Sequence, residues 1–302
     1  MTHETATRAA AGRATLLVAL SACGFGAIAI FITLATAAGA PLVGILSWRY
    51  VVATAVLAAL AWVAKVLRFD RSALRVMVFA GLGQSVIAVV SLSALRYIPA
   101  GTLSFLFYTY PAWVAIIARV RHSEPLTPAR LLALVLSLAG IFVMVGAPGG
   151  ATLHPVGVAL ALIAALLYAI YIPMIGELQR NQSPVATATY MSAGAAMLLG
   201  IVAAARGELT VQMHVTAWYA ILGLSLISTV GAFLMFLSGL RVLGPVRTAI
   251  VSTIEPFFTL LLGAWLLAQP LTRTTIVGGA LIAAAVVLLQ LRPAENNSGR
   301  SS

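Results

Sequence analysis

The sequence predicts an all-α integral membrane protein, with ten transmembrane helices in two inverted five-helix repeats around a central cavity. Composition and an internal repeat carry this prediction. Of the 302 residues, 62% are hydrophobic and only 8% are charged, whereas soluble domains carry about 25% charged residues. A water-soluble fold could not bury this much apolar surface, so most of it must face lipid or other helices.

The repeat consists of short motifs that recur 145 residues apart without a gap. The pairs are Leu95-Arg96 with Leu240-Arg241, Pro111 with Pro256, and Pro125-Leu126-Thr127 with Pro270-Leu271-Thr272. Each half contains an odd number of apolar segments, so the second half must cross the bilayer upside down relative to the first. Inverted repeats are the architecture of many secondary transporters, which bind their substrate between the halves near the midplane.

Ten segments are apolar enough, over about 20 residues, to cross a bilayer. They are residues 14–38, 42–67, 73–94, 98–119, 127–147, 155–176, 184–205, 215–238, 245–268 and 271–291. Glycine, proline or charged residues mark the joints, which are too short to hold a soluble catalytic domain. We therefore divide the chain into a cytoplasmic tail, two repeats and a second cytoplasmic tail: 1–13, 14–147, 155–291 and 292–302. Both tails are polar, and we expect them to be disordered.

The distribution of Lys and Arg predicts an inner-membrane protein with both termini in the cytoplasm. With the N-terminus inside, the cytoplasmic side holds 14 basic residues and the outer side holds three, as the positive-inside rule requires. The net charge of +11 is thus explained without nucleic-acid binding, for which the sequence has no motif. The remaining basic residue, Arg49, lies within the second segment. We expect it near the outer interface, snorkelling or pairing, rather than contacting substrate.

Each half has a proline in the middle of its fourth segment, Pro111 and Pro256. A proline inside a helix frees a carbonyl and bends the helix. In lipid, such freed groups are tolerated only where protein or a water-filled cavity satisfies them. A packing kink would explain either proline alone, but their equivalent positions in the repeat favour hinges beside a binding cavity.

Glu255, immediately before Pro256, is the acidic residue placed most clearly at membrane depth. A carboxylate there is costly and is a functional candidate by default. Its helical face also carries hydroxyl residues at spacings of three and four: Thr248, Ser252 and Thr259. Glu255 could bind a substrate amine, carry a coupling proton, or be protonated and bonded to the backbone at the kink. The sequence leaves these roles open.

The equivalent stretch of the first half is aromatic and runs from Phe105 to Tyr110. One half thus offers aromatic rings where the other offers polar groups, which suits a solute with an apolar body and a charged head. Tyrosine hydroxyls at this depth need partners, which favours a cavity over lipid packing. The substrate-binding candidates are Gln84, Phe107, Tyr108, Tyr110, Tyr168, Tyr171, Ser252 and Glu255. For Gln84, a role as a hydrogen-bonding residue between helices is favoured over contact with substrate, although the site could use it.

These motifs resemble those of the drug/metabolite transporter superfamily, in its ten-span type with two EamA repeats. The motifs are Ala94-Leu95-Arg96-Tyr97, Tyr110-Pro111-Ala112-Trp113 and Glu124-Pro125-Leu126-Thr127, then Gly239-Leu240-Arg241, Ile254-Glu255-Pro256-Phe257 and Gln269-Pro270-Leu271-Thr272. The resemblance implies a basket-like bundle, a cavity lined by the first, third, fourth, sixth, eighth and ninth spans, alternating access and, in many bacterial members, export. The run Tyr108-Thr109-Tyr110-Pro111 with Tyr168 is similar to cavity residues of YddG-type aromatic amino acid exporters.

The resulting interpretation is a secondary transporter that exports small amphipathic metabolites, with aromatic or large apolar amino acids favoured. A multidrug or other metabolite carrier and an uncoupled facilitator are the alternatives. An enzyme is disfavoured because the sequence has no phosphate-binding loop, zinc-protease motif or serine-nucleophile motif. We expect no cofactor and no metal, and the expected partners are a small-molecule substrate and the lipid bilayer. We expect a monomer or a weak homo-oligomer.

Overall fold

The computed structural model describes residues 2–94, 96–98, 100–121, 126–145, 154–267 and 273–291, and every regular element within them is helical. The first half contains α1 (Thr2–Gly26), α2 (Ile28–Ala37), α3 (Leu42–Val63), α4 (Arg71–Arg75), α5 (Gly83–Ala94), α6 (Ala100–Phe107), α7 (Tyr110–Val120) and α8 (Pro128–Val145). The second half contains α9 (Pro155–Leu178), α10 (Pro184–Ala205), α11 (Val215–Ser225), α12 (Ala232–Ser252), α13 (Glu255–Leu267) and α14 (Arg273–Leu291).

All ten predicted segments correspond to described helices, although helix length alone supports six membrane crossings. Six helical stretches within the described ranges are long and apolar enough to cross a membrane. Four further apolar helices are shorter, at 10–17 residues. Two of these, α7 and α13, are the longer parts of the fourth and ninth segments, which are interrupted. The other two are the described apolar parts of α8 and α14.

The N-terminal residues differ from the expected disordered tail, because α1 begins at Thr2. Residues 8–13 contain three alanines and two arginines, which are strong helix formers and extend the helix beyond its apolar part. The C-terminal tail from 292, the connection 146–153, Leu95, Pro125 and the motif 270–272 lie outside the described residues.

Helix packing is matched between the two halves. The fifth segment, α8, packs on the tenth, α14, and the second, α3, packs on the seventh, α10. The first segment contacts the eighth through α1 and α12, and the sixth contacts the third through α9 and α5. Likewise α1 packs on α13 of the ninth segment, while α9 packs on α6 and α7 of the fourth. Each of these contacts therefore has a counterpart when the two halves are exchanged.

The third and eighth segments both contain a π-helical stretch, Val76–Leu82 before α5 and Leu226–Gly231 before α12. Such stretches are rare and frequently occur at functional sites. Each offers a carbonyl to a side chain from another helix: the Tyr171 hydroxyl donates to the Ala80 carbonyl at 2.8 Å, and Arg49 Nη2 donates to the Ser228 carbonyl at 3.1 Å. The π-helical stretches thus position two side chains that belong to the site below.

At one end of the bundle, the beginning of α3 contacts the joint between segments seven and eight. The Val43 amide donates to the Glu208 carboxylate at 3.1 Å, and the Trp48 indole donates to the Thr210 carbonyl at 2.9 Å. Trp48 also packs edge-on against Trp218, with ring centroids 5.3 Å apart. By the distribution of basic residues this is the predicted outer end.

Candidate functional site

A cavity of about 250 Å³ lies between the two halves. Its lining comes from both repeats and is mostly apolar, with a few polar groups, as in typical small-molecule sites. The lining side chains include Phe25, Arg49, Tyr50, Gln84, Phe107, Tyr168, Tyr171, Phe233, Phe236 and Glu255. Five of the eight predicted substrate-binding residues are among them: Gln84, Phe107, Tyr168, Tyr171 and Glu255. Their contact with substrate stays a prediction.

One side of the cavity is an aromatic wall formed by Phe107, Tyr168 and Tyr171. The rings of Phe107 and Tyr168 come from different halves and lie 5.3 Å apart, and Tyr168 stacks on Tyr171 at 6.0 Å. The hydrogen bond from Tyr171 to the π-helical Ala80 carbonyl fixes the end of this wall. These separations are typical of favourable aromatic pairs, so the wall is a preformed apolar surface.

A second aromatic cluster, which sequence reasoning missed, lines the cavity from the first, second and eighth segments. Phe25 packs edge-on against Phe233 and Phe236 at 5.9 and 6.0 Å, and Tyr50 lies 6.4 Å from Phe233. These residues lie on uniformly apolar segments, where an inward-facing ring has no sequence signal that separates it from a lipid-facing ring.

Glu255 is the first residue of α13 and contributes the cavity's carboxylate. Tyr108 lies close enough to that carboxylate for the two side chains to interact electrostatically. A helix N-terminus also favours a negative charge, because its first amide groups are not used within the helix. The carboxylate is therefore both stabilised by its neighbours and accessible to a bound molecule.

Arg49 is placed differently from the sequence expectation. Instead of lying at an interface, it is buried, with 5% of its surface exposed, and it lines the cavity. Its Nε donates to the Thr229 hydroxyl at 2.6 Å, and its guanidinium lies 5.0 Å from the Tyr50 ring centroid. The polar contacts of Arg49 are thus made inside the bundle, with neutral acceptors. Sequence position could not show this, because a basic residue seven positions into α3 looks like a routine interfacial anchor.

Three predicted site residues lie behind the lining. Tyr110 is almost fully buried, and its hydroxyl approaches the Ala249 carbonyl at 3.5 Å. Tyr110 supports the wall, because its ring is 4.8 Å from that of Tyr168. Tyr108 and Ser252 are also buried outside the lining. Tyr108 nevertheless reaches the site through Glu255.

Both predicted hinge prolines follow breaks in their helices. The fourth segment is interrupted at Tyr108–Thr109 and the ninth at Thr253–Ile254, and these two breaks are again 145 residues apart. Pro111 and Pro256 each stand at the second position of the resumed helix. At each break a threonine hydroxyl donates to a carbonyl of the preceding helix, Thr109 to Leu106 at 2.7 Å and Thr253 to Ile250 at 2.6 Å. Whether the breaks move stays a prediction.

A wider cavity of about 600 Å³ lies at the joints of segments four–five, six–seven and eight–nine. Its basic lining residues are Arg121, Arg130, Arg180 and Arg241. Arg121 forms an exposed ion pair with Glu177 at 3.3 Å. The joint of segments eight and nine turns here at Gly244, whose φ of +75° suits glycine because it has no Cβ. We call this cavity the basic vestibule.

Comparison with known proteins decides the family. The sequence profile of the EamA-like transporter family matches residues 12–146 and 155–291, one match for each half. The chain belongs to the EamA-like transporter family. Members of this family are transporters and not enzymes, so the chain is a multi-pass membrane transporter.

Similar proteins agree with this assignment. The chain is 27% identical over 223 residues to an uncharacterized transporter of Archaeoglobus fulgidus, covering 73% of this chain and 77% of the relative. It is 27% identical to a Synechocystis transporter and 25% identical to Bacillus subtilis YcbK, covering 64% and 61% of those relatives. A solved crystal structure matches 92% of the chain with a TM-score of 0.79 at 20% identity, which establishes the fold alone.

Proposed function

We propose that this EamA-like transporter exports small amphipathic metabolites by alternating access, and that aromatic or large apolar amino acids are its substrates. The observation that carries the proposal is the cavity between the halves, which is lined both by an aromatic wall and by the Glu255 carboxylate. The wall would hold an apolar side chain, and Glu255 would bind the amino group or exchange a coupling proton. The cavity volume of about 250 Å³ lies just below the usual range of small-molecule pockets, about 300–1,000 Å³, so it suits a small solute such as one amino acid.

The architecture we propose for transport is ten spans in two inverted repeats. The matched helix contacts, the equivalent breaks and the separate family match to each half support it. Short joints make consecutive spans antiparallel, so five spans per half would invert the second half. The two breaks would then serve as hinges that move one half relative to the other.

The orientation we propose places both termini in the cytoplasm of a bacterial-type inner membrane. The basic vestibule gathers arginines of three joints at one end of the bundle, as expected for a cytoplasmic surface. The Trp48–Trp218 contact lies at the predicted outer end. A solute would enter from the vestibule side, which is the direction of export.

An uncoupled facilitator of the same fold is the second candidate. Glu255 is the single carboxylate among the cavity's lining residues, so coupling to protons would depend on this one residue. A proton-coupled carrier needs a group that binds and releases a proton during transport. Glu255 is the residue on which this distinction depends. We propose a monomer or a weak homo-oligomer in the bilayer, with no nucleic-acid partner.

The test is uptake of labelled amino acids into liposomes that contain the purified protein, with and without a pH gradient. We expect saturable uptake of phenylalanine, tryptophan or leucine, and weak uptake of glutamate and lysine. A response to the gradient supports coupling, and equal uptake without a gradient supports the facilitator. Uptake of none of the panel by folded protein would overturn the amino acid proposal.

A further inference from the structure

The cavity contains two opposite charges that do not pair with each other. Arg49 reaches it from the second span and Glu255 from the ninth, so each half contributes one charge. The two side chains make no direct ion pair, although both belong to the described part of the chain. They are close enough for their charges to interact. A buried charge is normally paired, whereas these two charges line the same cavity without an ion pair between them.

The hydrogen bonds of Arg49 orient its guanidinium without neutralising it. Its Nε donates to the Thr229 hydroxyl and its Nη2 to the Ser228 carbonyl, both of which are neutral acceptors. These bonds use two of the five donors of a guanidinium. The rest can serve an anion, and a carboxylate matches the planar guanidinium fork best.

We propose that Arg49 binds the carboxylate of the transported molecule while Glu255 binds its ammonium group. The proposal rests on the proposed amino acid transport and deepens it by assigning the carboxylate site. The ligand bridges the two charges as a zwitterion, and its side chain lies among Phe107, Tyr168 and the second aromatic cluster. The site then selects α-amino acids over simple amines and simple acids, because either of these leaves one buried charge unpaired.

The experiment measures binding of three probes to the full-length protein in lipid nanodiscs by isothermal titration. The probes are phenylalanine, phenylalaninamide, which lacks the carboxylate, and 3-phenylpropionate, which lacks the ammonium group. We expect wild type to bind phenylalanine at least about tenfold more tightly than either analogue. In Arg49→Gln, phenylalanine should bind at least about tenfold more weakly, while phenylalaninamide changes by less than about threefold.

Glu255→Gln is the matched variant for the other charge. It should weaken phenylalanine and phenylalaninamide together and leave 3-phenylpropionate within about threefold of wild type. Equal weakening of all three probes by Arg49→Gln would overturn the proposal and assign Arg49 a structural role. Thr229→Val gives a second, milder variant, because it removes the 2.6 Å hydrogen bond that orients Arg49. It should weaken phenylalanine selectively.

The wild-type measurements test the proposal even if the variants do not fold. Phenylalanine and phenylalaninamide binding with equal affinity would overturn the carboxylate site while leaving amino acid transport intact. Absence of binding for all three probes, in protein whose folding is shown by a cooperative thermal transition, would instead overturn the proposed function. The two failures are therefore distinguishable.

Discussion

The fourth and ninth predicted segments share a break in the backbone but differ in the chemistry of the residues beside it. Both break at positions 145 residues apart, and both resume one residue before a proline. The residue that resumes the helix is Tyr110 in the fourth span and Glu255 in the ninth. The break is thus a property of the repeat, whereas the chemistry has diverged. We infer that an equivalent pair of breaks can serve the motion of transport while the unequal residues beside them divide recognition of one asymmetric solute.

The largest expected effect comes from removing the charge that distinguishes the ninth span. Glu255→Gln should lower phenylalanine uptake about 30-fold or more, because losing one partner of a buried charged contact costs about 2–5 kcal/mol. Any dependence of uptake on pH should disappear with it. Both are measured in proteoliposomes across a pH series.

Tyr110→Phe is the matched control, since it alters the equivalent position of the fourth span by one hydroxyl. It should keep uptake within about threefold of wild type. If Glu255→Gln transported at the wild-type rate with an unchanged pH profile, Glu255 would be a structural residue at the break.

The next largest effect concerns the proline that follows the break in both segments. Pro111→Ala and Pro256→Ala each restore an amide that can rejoin the interrupted helix. We expect either variant to slow uptake about tenfold while phenylalanine binding changes less than about twofold, since hinge residues control motion away from the ligand. Separate measurements of binding and uptake distinguish these effects.

Pro184→Ala provides the comparison, because Pro184 stands at the first turn of α10, where a helix tolerates proline. It should leave the rate unchanged. Equal slowing in all three proline variants would point to general destabilisation instead of two hinges.

A smaller effect is expected on the aromatic side. Tyr168→Leu removes ring contacts with Phe107, Tyr110 and Tyr171. Loss of one aromatic pair costs about 0.5–1.5 kcal/mol, so phenylalanine affinity should fall about 3- to 10-fold. The affinity for leucine should fall less, because leucine has no ring to pack against the ring of Tyr168. A competition assay with both amino acids measures the ratio, and an equal loss for both would contradict a role in side-chain selection.

The smallest expected effect is a difference in solvent access between two residues beside the break: Phe107, which lines the cavity, and Tyr110, which lies behind the lining. In a Cys23→Ala background, which removes the chain's own thiol, a cysteine at Phe107 should react with a water-soluble thiol reagent and phenylalanine should slow the reaction. A cysteine at Tyr110, which is 1% exposed, should react at least about tenfold more slowly, since reaction requires access to the sulfur. Equal rates at both positions would contradict the assigned cavity.

The sequence predicted the features that depend on local covalent chemistry or on composition. Proline removes an amide donor, so Pro111 and Pro256 located both breaks to within a turn. The cost of a carboxylate in a membrane identified Glu255 as a candidate. The apolar segments and the 145-residue spacing indicated the helices and the repeat, and the family match supports the two-repeat division.

The sequence did not predict features that arise only from tertiary packing. The π-helical stretches have no residue signature, so the carbonyls that hold Tyr171 and Arg49 were not foreseeable. Arg49 was expected at an interface. Its burial depends on how α3 packs against other helices, which the sequence alone does not show. Phe25, Tyr50 and Phe233 were missed because an apolar segment gives no direction to its rings. Tyr108 and Tyr110 lie buried behind the cavity lining, and a contact of either residue with substrate stays a prediction.

The most direct test of the account is an experimental structure of the protein in lipid nanodiscs with phenylalanine bound. We predict ligand density between Phe107 and Tyr168, with the amino group of phenylalanine at Glu255 and its carboxylate at Arg49. Density in the basic vestibule alone, with the cavity between the halves unoccupied at saturating phenylalanine, would contradict it.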